Sequence, residues 1–235
     1  MEKCLAVIPA RGGSKGIPRK NLQELQGIPL IAHTIQAAKK SKLISRVIVS
    51  TDDEEIADVS RLYGAEVPFI RPEELGSDTA SSVDVVVHAL SECESDGDNY
   101  SMLVLLQPTC PFRTADDIDS VIEMLLEDLE AQSAITVKPV PNECNPHYIY
   151  KLEDKSWSPL VYSEKIQRRQ DLPQYFVRTG DVYAVRTDYL KENNKVIGEH
   201  NLVYVMSEEV SVNIDTPLDL LVARTIVENG LRSKR

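Results

Sequence analysis

The sequence predicts an α/β fold, a mostly parallel sheet with helices on both faces. Three observations carry this expectation. Between residues 3 and 129, short apolar runs alternate with stretches whose apolar residues recur at helical spacing, the pattern of right-handed βαβ units. The first run, KCLAVIPA (3–10), is apolar without a break, as in a strand buried on both faces. It leads into IPARGGSKGIPRKN (8–21), which holds three glycines and four cations. Ligands of parallel sheets bind beyond the carboxyl ends of the strands, where this loop would lie.

The elements follow in order. GIPLIAHTIQAAKKSK (27–42) predicts a helix with Pro29 in its first turn and Leu30, Ile31, Thr34, Ile35 and Ala38 on one face. Lys39, Lys40 and Lys42 crowd its C-terminal end, where the helix dipole favours cations. RVIVSTDD (46–53) reads as the second strand, DEEIADVSRLYG (53–64) as a helix stopped by Gly64, and EVPFIRP (66–72) as a third extended segment. A helix over about 80–94 carries Val83, Val86, Val87 and Leu90, and MLVLLQP (102–108) is the most hydrophobic strand. Thr114 with Asp117 resembles a capping box ahead of a helix bearing Ile118, Val121, Ile122, Leu125 and Leu129.

The rhythm breaks over 139–180, where prolines and aromatics scatter without a helical period. This region reads as a hairpin-containing excursion from the main sheet. DVYAV (181–185) and LVYVM (202–206) return to the strand pattern. NIDTPLDLLVARTIVENG (213–230) ends in a helix with Thr216 near its cap, Pro217 in its first turn and Gly230 past its end.

A length of 235 residues fits one domain, 1–235, from which the excursion projects. The net charge of −11 argues against general nucleic-acid binding, which needs a basic face. No apolar run approaches the roughly 20 residues that span a bilayer, and the N-terminus lacks a signal pattern, so the expected location is the cytoplasm. Cys4, Cys93, Cys110 and Cys144 form no metal-ligand spacing and read as free thiols. The four histidines form no cluster and have no evident catalytic role.

Consecutive small residues after a buried strand let backbone N–H groups converge on an anion. Arg11, Lys15, Arg19 and Lys20 add compensating charge, the combination a triphosphate requires. The spacing matches neither GxxxxGK[ST] nor GxGxxG.

The full loop resembles the signature of the acylneuraminate cytidylyltransferases, enzymes that activate sialic acids and related nine-carbon sugars. STDDEEIA, RPEELGSDTASS, LLQPTCPFR and NIDTPLDL resemble further blocks of that family, in its order, over nearly the whole chain. The resemblance implies a Rossmann-like nucleotide-diphospho-sugar transferase sheet with a small β-rich dimerisation excursion. It also implies a reaction, transfer of CMP from CTP to the anomeric hydroxyl of an acidic α-keto sugar with release of pyrophosphate. A 3-deoxy-manno-octulosonate or other sugar cytidylyltransferase, and a non-catalytic nucleotide-sugar-binding homologue, are the alternatives.

By the same resemblance, Arg11, Gly12, Gly13, Ser14, Lys15 and Lys20 form the nucleotide loop, with Arg11 and Lys20 stabilising phosphate charge and the glycine amides cradling it. Asn21 matches a position near base and phosphate, or equally caps the chain as it leaves the loop. Arg71 and Ser82 match cytosine and ribose contacts, with helix initiation the rival role for Ser82. Gln107 matches a sugar-facing contact, and Arg169 an arginine able to pair with the sugar carboxylate. Arg113 either joins them or pairs with Asp116 or Asp117. Asp215 matches a ligand for Mg²⁺ and acts in catalysis, its other reading being an N-cap.

Three places depart from the family pattern. An Asp-x-Asp block reads Asn213-Ile214-Asp215 here, which leaves Asn213 as a neutral candidate ligand. A lysine that usually meets the sugar carboxylate is replaced by Tyr148, and RTGDVY replaces an asparagine-glycine pattern. These changes leave open which nonulosonate is the acceptor. The family also implies a homodimer in which the excursion roofs the neighbouring site, a role suited to exposed Tyr148, Tyr150, Trp157, Tyr162 and Phe176.

Overall fold

The computed structural model describes residues 2–77, 79–95, 97–162, 168–207 and 211–230. The opening apolar run forms β1 (Cys4–Pro9), whose side chains alternate between two cores. Cys4, Ala6 and Ile8 enter one and Leu5 and Val7 the other, the two-residue period of a strand covered on both sides. Next comes a hairpin that the sequence pattern does not announce, β2 (Glu24–Leu25) with β3 (Ile28–Pro29). Its turn residues Gln26 and Gly27 have φ of 55° and 71°, as a two-residue hairpin loop demands. The hairpin places Pro29 one residue ahead of α1 (Leu30–Lys40) rather than inside its first turn.

β4 (Arg46–Ser50) leads to α2 (Glu54–Leu62), where the Asp53 carboxylate accepts the Ile56 N–H as an N-cap. Gly64, at φ 89°, follows its end as expected. EVPFIRP does not become a strand: it makes a single bridge, between Ile48 and Glu66, and Pro68 cannot donate to extend it. The short α3 (Glu73–Gly76) precedes α4 (Ser82–Ser95), β5 (Met102–Leu105) and α5 (Ala115–Glu127). Both halves of the Thr114/Asp117 capping box form. Leu129 falls beyond α5 and is exposed, so it is not part of the apolar face.

β6 (Ser133–Pro139) is the main strand absent from the sequence reading. The excursion carries the expected hairpin, β7 (Tyr150–Glu153) with β8 (Ser156–Pro159). Its residues 163–167 lie outside the described residues. β9 (Phe176–Arg186) begins five residues before the DVYAV segment, because Phe176 already pairs with Pro139 of β6. The excursion is therefore 140–175 rather than 139–180. α6 (Thr187–Asn193), also unanticipated, then β10 (Asn201–Val205) and α7 (Pro217–Glu228) complete the chain, with Thr216 capping α7 and Pro217 at its first position.

The six-stranded sheet runs β10-β6-β9-β5-β1-β4. β1 is parallel to β4 and β5, and β10 to β6, while β9 is antiparallel to both its neighbours. α1 and α5 cover one face through Ile31, Ile35, Ile118, Ile122 and Leu125. α4 and α6 cover the other through Val86, Ala89, Leu90 and Leu190. A third cluster joins Leu220 and Ala223 of α7 to Ile214, Phe112 and Ile17 of the glycine loop, so distant parts of the chain share one anchor. None of the four cysteines is held in a disulfide. Among the described residues, no helix is long and apolar enough to cross a membrane.

Thr114 satisfies the Asp117 N–H while Asp117 takes the Thr114 N–H and hydroxyl. Thr114→Ala is therefore expected to cost about 1 kcal/mol, read as a lower urea midpoint with an unchanged slope.

Candidate active site

β1, β4 and β5 all deliver their carboxyl ends to one edge of the sheet, and backbone bonds carry the ladder one step into the loops. Ala10 N–H donates to Ser50 O at 2.9 Å, Leu106 N–H to Val7 O at 3.0 Å, and Arg71 N–H to Thr51 O at 2.8 Å. Ile214 N–H, donating to Thr109 O at 2.8 Å, brings in the segment before α7. The result is a cleft of about 490 Å³ where the loops after the three strands meet the start of α4 and Asp215.

Nine of the predicted residues line this cleft: Arg11, Ser14, Lys15, Lys20, Asn21, Arg71, Ser82, Gln107 and Asp215. Four cations thus face one carboxylate, although the chain as a whole carries −11. A second cavity, about 630 Å³, lies within the excursion between residues 139–145 and 169–175. It is larger, but the residues with phosphate and base chemistry converge on the first, so composition rather than volume marks the site.

Lys20 follows Arg19, which adopts a left-handed backbone at φ 51°. The Lys20 ammonium donates to Asp215 Oδ1 at 2.8 Å, a bond between residues 195 positions apart. Gly16 permits the approach, since a Cβ there would stand 2.4 Å from the Asp215 carbonyl oxygen. Buried Asn21 donates its amide to Arg11 O at 3.0 Å, which ties the chain leaving the loop back to the residue that opens it. Arg11 reaches across to Ser77 O at 3.4 Å.

Gly12 needs a correction. Its N–H donates to Asp52 Oδ1 at 3.0 Å and is not turned to the cleft, and a Cβ would stand 2.6 Å from Asp53 Oδ2. Its smallness therefore serves close packing against the two aspartates rather than an anion. Gly13 likewise does not line the cleft. Ser82 is the first residue of α4, but the side chain that takes a helix-start N–H, that of Val83 at 3.1 Å, belongs to Ser81.

Arg113 is fully buried and bonds the carbonyls of Gln107 and Cys110. It is thus a clamp on the 107–110 turn, and of the two aspartates considered from sequence Asp117 acts on it through its charge. Burial pushes its pKa down, against the opposing charges of Cys110 and Asp181. Gly180, at φ 83°, sits where a Cβ would lie 2.5 Å from Gln107 Oε1. A break in the β6–β9 register between Ile135 and Val137 frees it for that approach, and the Thr136 hydroxyl replaces lost ladder bonds by accepting the Val182 N–H at 3.0 Å.

Asp215 offers the acidic oxygens for a cation. Its side chain is 59% exposed, with Oδ1 on Lys20 and Oδ2 accepting the Asn213 amide N–H at 2.6 Å. Asn213 turns its oxygen toward the Cys110 thiol at 3.8 Å, so it faces Asp215 as a donor and braces that carboxylate instead of presenting the oxygen a metal needs. One exposed carboxylate suits magnesium, which keeps waters and takes substrate phosphates as ligands. Among the described residues no cluster of three His, Cys, Asp or Glu side chains is assembled.

Arg169 lies in the excursion's own cavity, apart from Gln107. The sequence reading gave no role to Asp52, Asp53, Gly16 or Gly180. STDD was legible as a strand end, but no local signal tells which distant N–H a carboxylate will take. Asp53 pairs with the Arg19 guanidinium, which holds its carboxyl below the usual range, with the Ile56 N–H adding to this against partial burial.

A depressed folded-state pKa stabilises above the ordinary carboxylate value of about 3.9, and that stabilisation is lost as pH falls through the folded value. Asp53→Asn, which keeps the cap, is expected to lower the thermal midpoint at pH 7 by about 1–4 °C, for a loss of roughly 0.5–1 kcal/mol. The gap from wild type should close below about pH 4.

Comparisons with known proteins bear on this cleft. A family model described as cytidylyltransferase matches residues 5–208. The chain is 34% identical over 233 residues to the CMP-N,N'-diacetyllegionaminic acid synthase of Legionella pneumophila, covering 96% of this chain and 97% of that protein. It is also 34% identical over 237 residues to the N-acylneuraminate cytidylyltransferase of Escherichia coli, covering 99% of this chain and 54% of that enzyme. Among solved structures, CMP:2-keto-3-deoxy-manno-octonic acid synthetase complexed with CTP superposes with a TM-score of 0.75. That match spans 97% of this chain and 99% of the other at 19% identity, a likeness of fold.

Proposed function

The chain belongs to the cytidylyltransferase family, and from that membership we propose that it transfers CMP from CTP to the anomeric hydroxyl of an acidic nonulosonate, releasing pyrophosphate. The observation that carries the reading is the cleft itself, where Arg11, Lys15, Lys20 and Arg71 face one carboxylate on an acidic molecule. Its relatives supply the acceptor class, since their names specify legionaminic and neuraminic acids.

In this reading, Arg11, Ser14, Lys15 and Lys20 hold the triphosphate. Arg71, Asn21 and Ser82 meet the cytosine and ribose, and Gln107 meets the sugar. The sugar hydroxyl attacks the α-phosphorus in line with the departing pyrophosphate. Such chemistry needs positioning and charge neutralisation rather than a covalent intermediate. Arg11 and Lys20 balance the charge that grows on the leaving group. Lys20 exchanges its bond with Asp215 for one with phosphate, which frees that carboxylate for a cation. Magnesium, held there by Asp215 and the nucleotide, would neutralise phosphate charge.

The second part of the proposal is a homodimer in which the excursion of one subunit brings Arg169 to the sugar end of its partner's cleft. Tyr148, Tyr150, Trp157, Tyr162 and Phe176 are exposed, and Tyr150 packs edge-on against Trp157 at 4.3 Å between ring centroids. Aromatic surface of this kind is enriched at interfaces. Four cysteines outside any disulfide favour the cytoplasm as the site of the reaction.

Pyrophosphate release from CTP, measured with a panel of keto-acid sugars and with magnesium varied, tests the activity. Turnover is expected with at least one nonulosonate and to require the metal. No release with any of them, or a preference for UTP, overturns the reading. Arg11→Ala is expected to cut turnover by about 10²–10³-fold while calorimetry shows a native-like unfolding transition. Light scattering is expected to give twice the mass of one chain, and a monomer at working concentration would exclude the shared site.

A further inference from the structure

The carboxylates that follow β4 have no part in the reaction outlined above, yet Asp52 touches both halves of the cleft. Its Oδ1 accepts the Gly12 N–H at 3.0 Å and an N–H of Arg71 Nη2 at 3.4 Å. The Asp52 side chain is 25% exposed and that of Arg71 only 4%. On its far side the carboxylate lies against Gly76, where a Cβ would stand 2.7 Å from Oδ2. Asp52 is the one ion-pair partner of Arg71 among the described residues, and the Arg71 Nε is buried without a bond. The guanidinium is therefore anchored at one corner, Nη2, with donors to spare. Burial pushes the Arg71 pKa down, the Asp52 charge opposes this, and nearby Arg11 adds to the depression.

We propose that Asp52 is a positioning residue that couples the two ends of the nucleotide site, setting the plane of the Arg71 guanidinium while pinning the turn at Gly12 that presents Arg11 and Ser14. The inference rests on the nucleotide reading of the cleft. A planar fork that is buried and anchored at Nη2 swings less than an exposed cation, which suits recognition of a base or ribose. Neutralising Arg71 also removes a competitor for the triphosphate and leaves that charge to Arg11, Lys15 and Lys20. The residue type follows from the space. Glutamate is one methylene longer and would press on Gly76, and asparagine keeps an oxygen for Gly12 but lacks the negative charge that pairs with the guanidinium.

Asp52→Asn separates the two roles, because it keeps an acceptor for Gly12 and removes the charge from Arg71. It is expected to weaken CTP binding on the order of 10-fold, to change kcat less than about two-fold, and to narrow the preference for CTP over UTP. In the Arg71→Ala background the same substitution should have no further effect on CTP affinity. Asp52→Ala, which also releases Gly12, should lower kcat as well. If that variant does not fold, the asparagine variant and its cycle with Arg71→Ala carry the test. Wild-type protein that binds CTP, with additive effects in the cycle or an affinity untouched by Asp52→Asn, would overturn the role of Asp52 alone. Wild-type protein that fails to bind CTP in calorimetry would overturn the reading of the cleft and this inference with it.

Discussion

A strand buried on both faces cannot leave backbone groups unpaired, and β1 meets that demand by pairing in parallel with β4 on one side and β5 on the other. That double ladder decides where the rest of the molecule goes. Parallel strands must end on the same edge, so three loops far apart in sequence are delivered side by side. α1 and α5 seal one face of the ladder and α4 with α6 the other, leaving the carboxyl edge as the place where polar chemistry can collect.

At that edge the problem is to hold cations together without a ligand. Charges of one sign crowded into a cleft repel, and carboxylates from other parts of the chain steady two of them, Lys20 and Arg71, and their neighbour Arg19. Arg19 leans on Asp53 and Glu55, Lys20 on Asp215, and Arg71 on Asp52. These pairs span between 19 and 195 residues of sequence, so they fasten the glycine loop to β4 and to the segment before α7. Most are partly exposed and add little to stability singly. Their effect is on geometry: the loop is arranged before a substrate arrives, which lowers the ordering cost of binding.

Where the sequence carries its own local reasons, the elements were legible. β1 announces itself by unbroken apolarity, α5 by Thr114 and Asp117, and α7 by Thr216 and Pro217. β6 is just as buried, but SAITVKP mixes serine, threonine and lysine into the run, and its burial comes from pairing with β9 and β10. The β2–β3 hairpin turns on Gln26 in a left-handed conformation, an uncommon choice that no composition rule flags. Within the site, charged and polar side chains that follow strands were readable because topology brings them together. The partners of Gly12 and Asn213 were not, because each is settled by which distant atom lies within 3 or 4 Å, and those of Arg113 were not, because carbonyls of the turn before it compete with carboxylates after it. Arg169 shows the same limit, since a residue matched to the sugar by its motif sits in a separate cavity of its own chain.

β9 is the one strand that belongs to both worlds of this protein. Its first three residues are exposed at the root of the excursion, and its later ones are sealed between β5 and β6, with Gly180 at the transition. Phe176 pairs with Pro139 at the root of the excursion, and four residues further on Gly180 lies against the Gln107 amide. One continuous strand thus forms the doorstep of the outer arm and part of the rim of the cleft, so the two neighbourhoods share a wall.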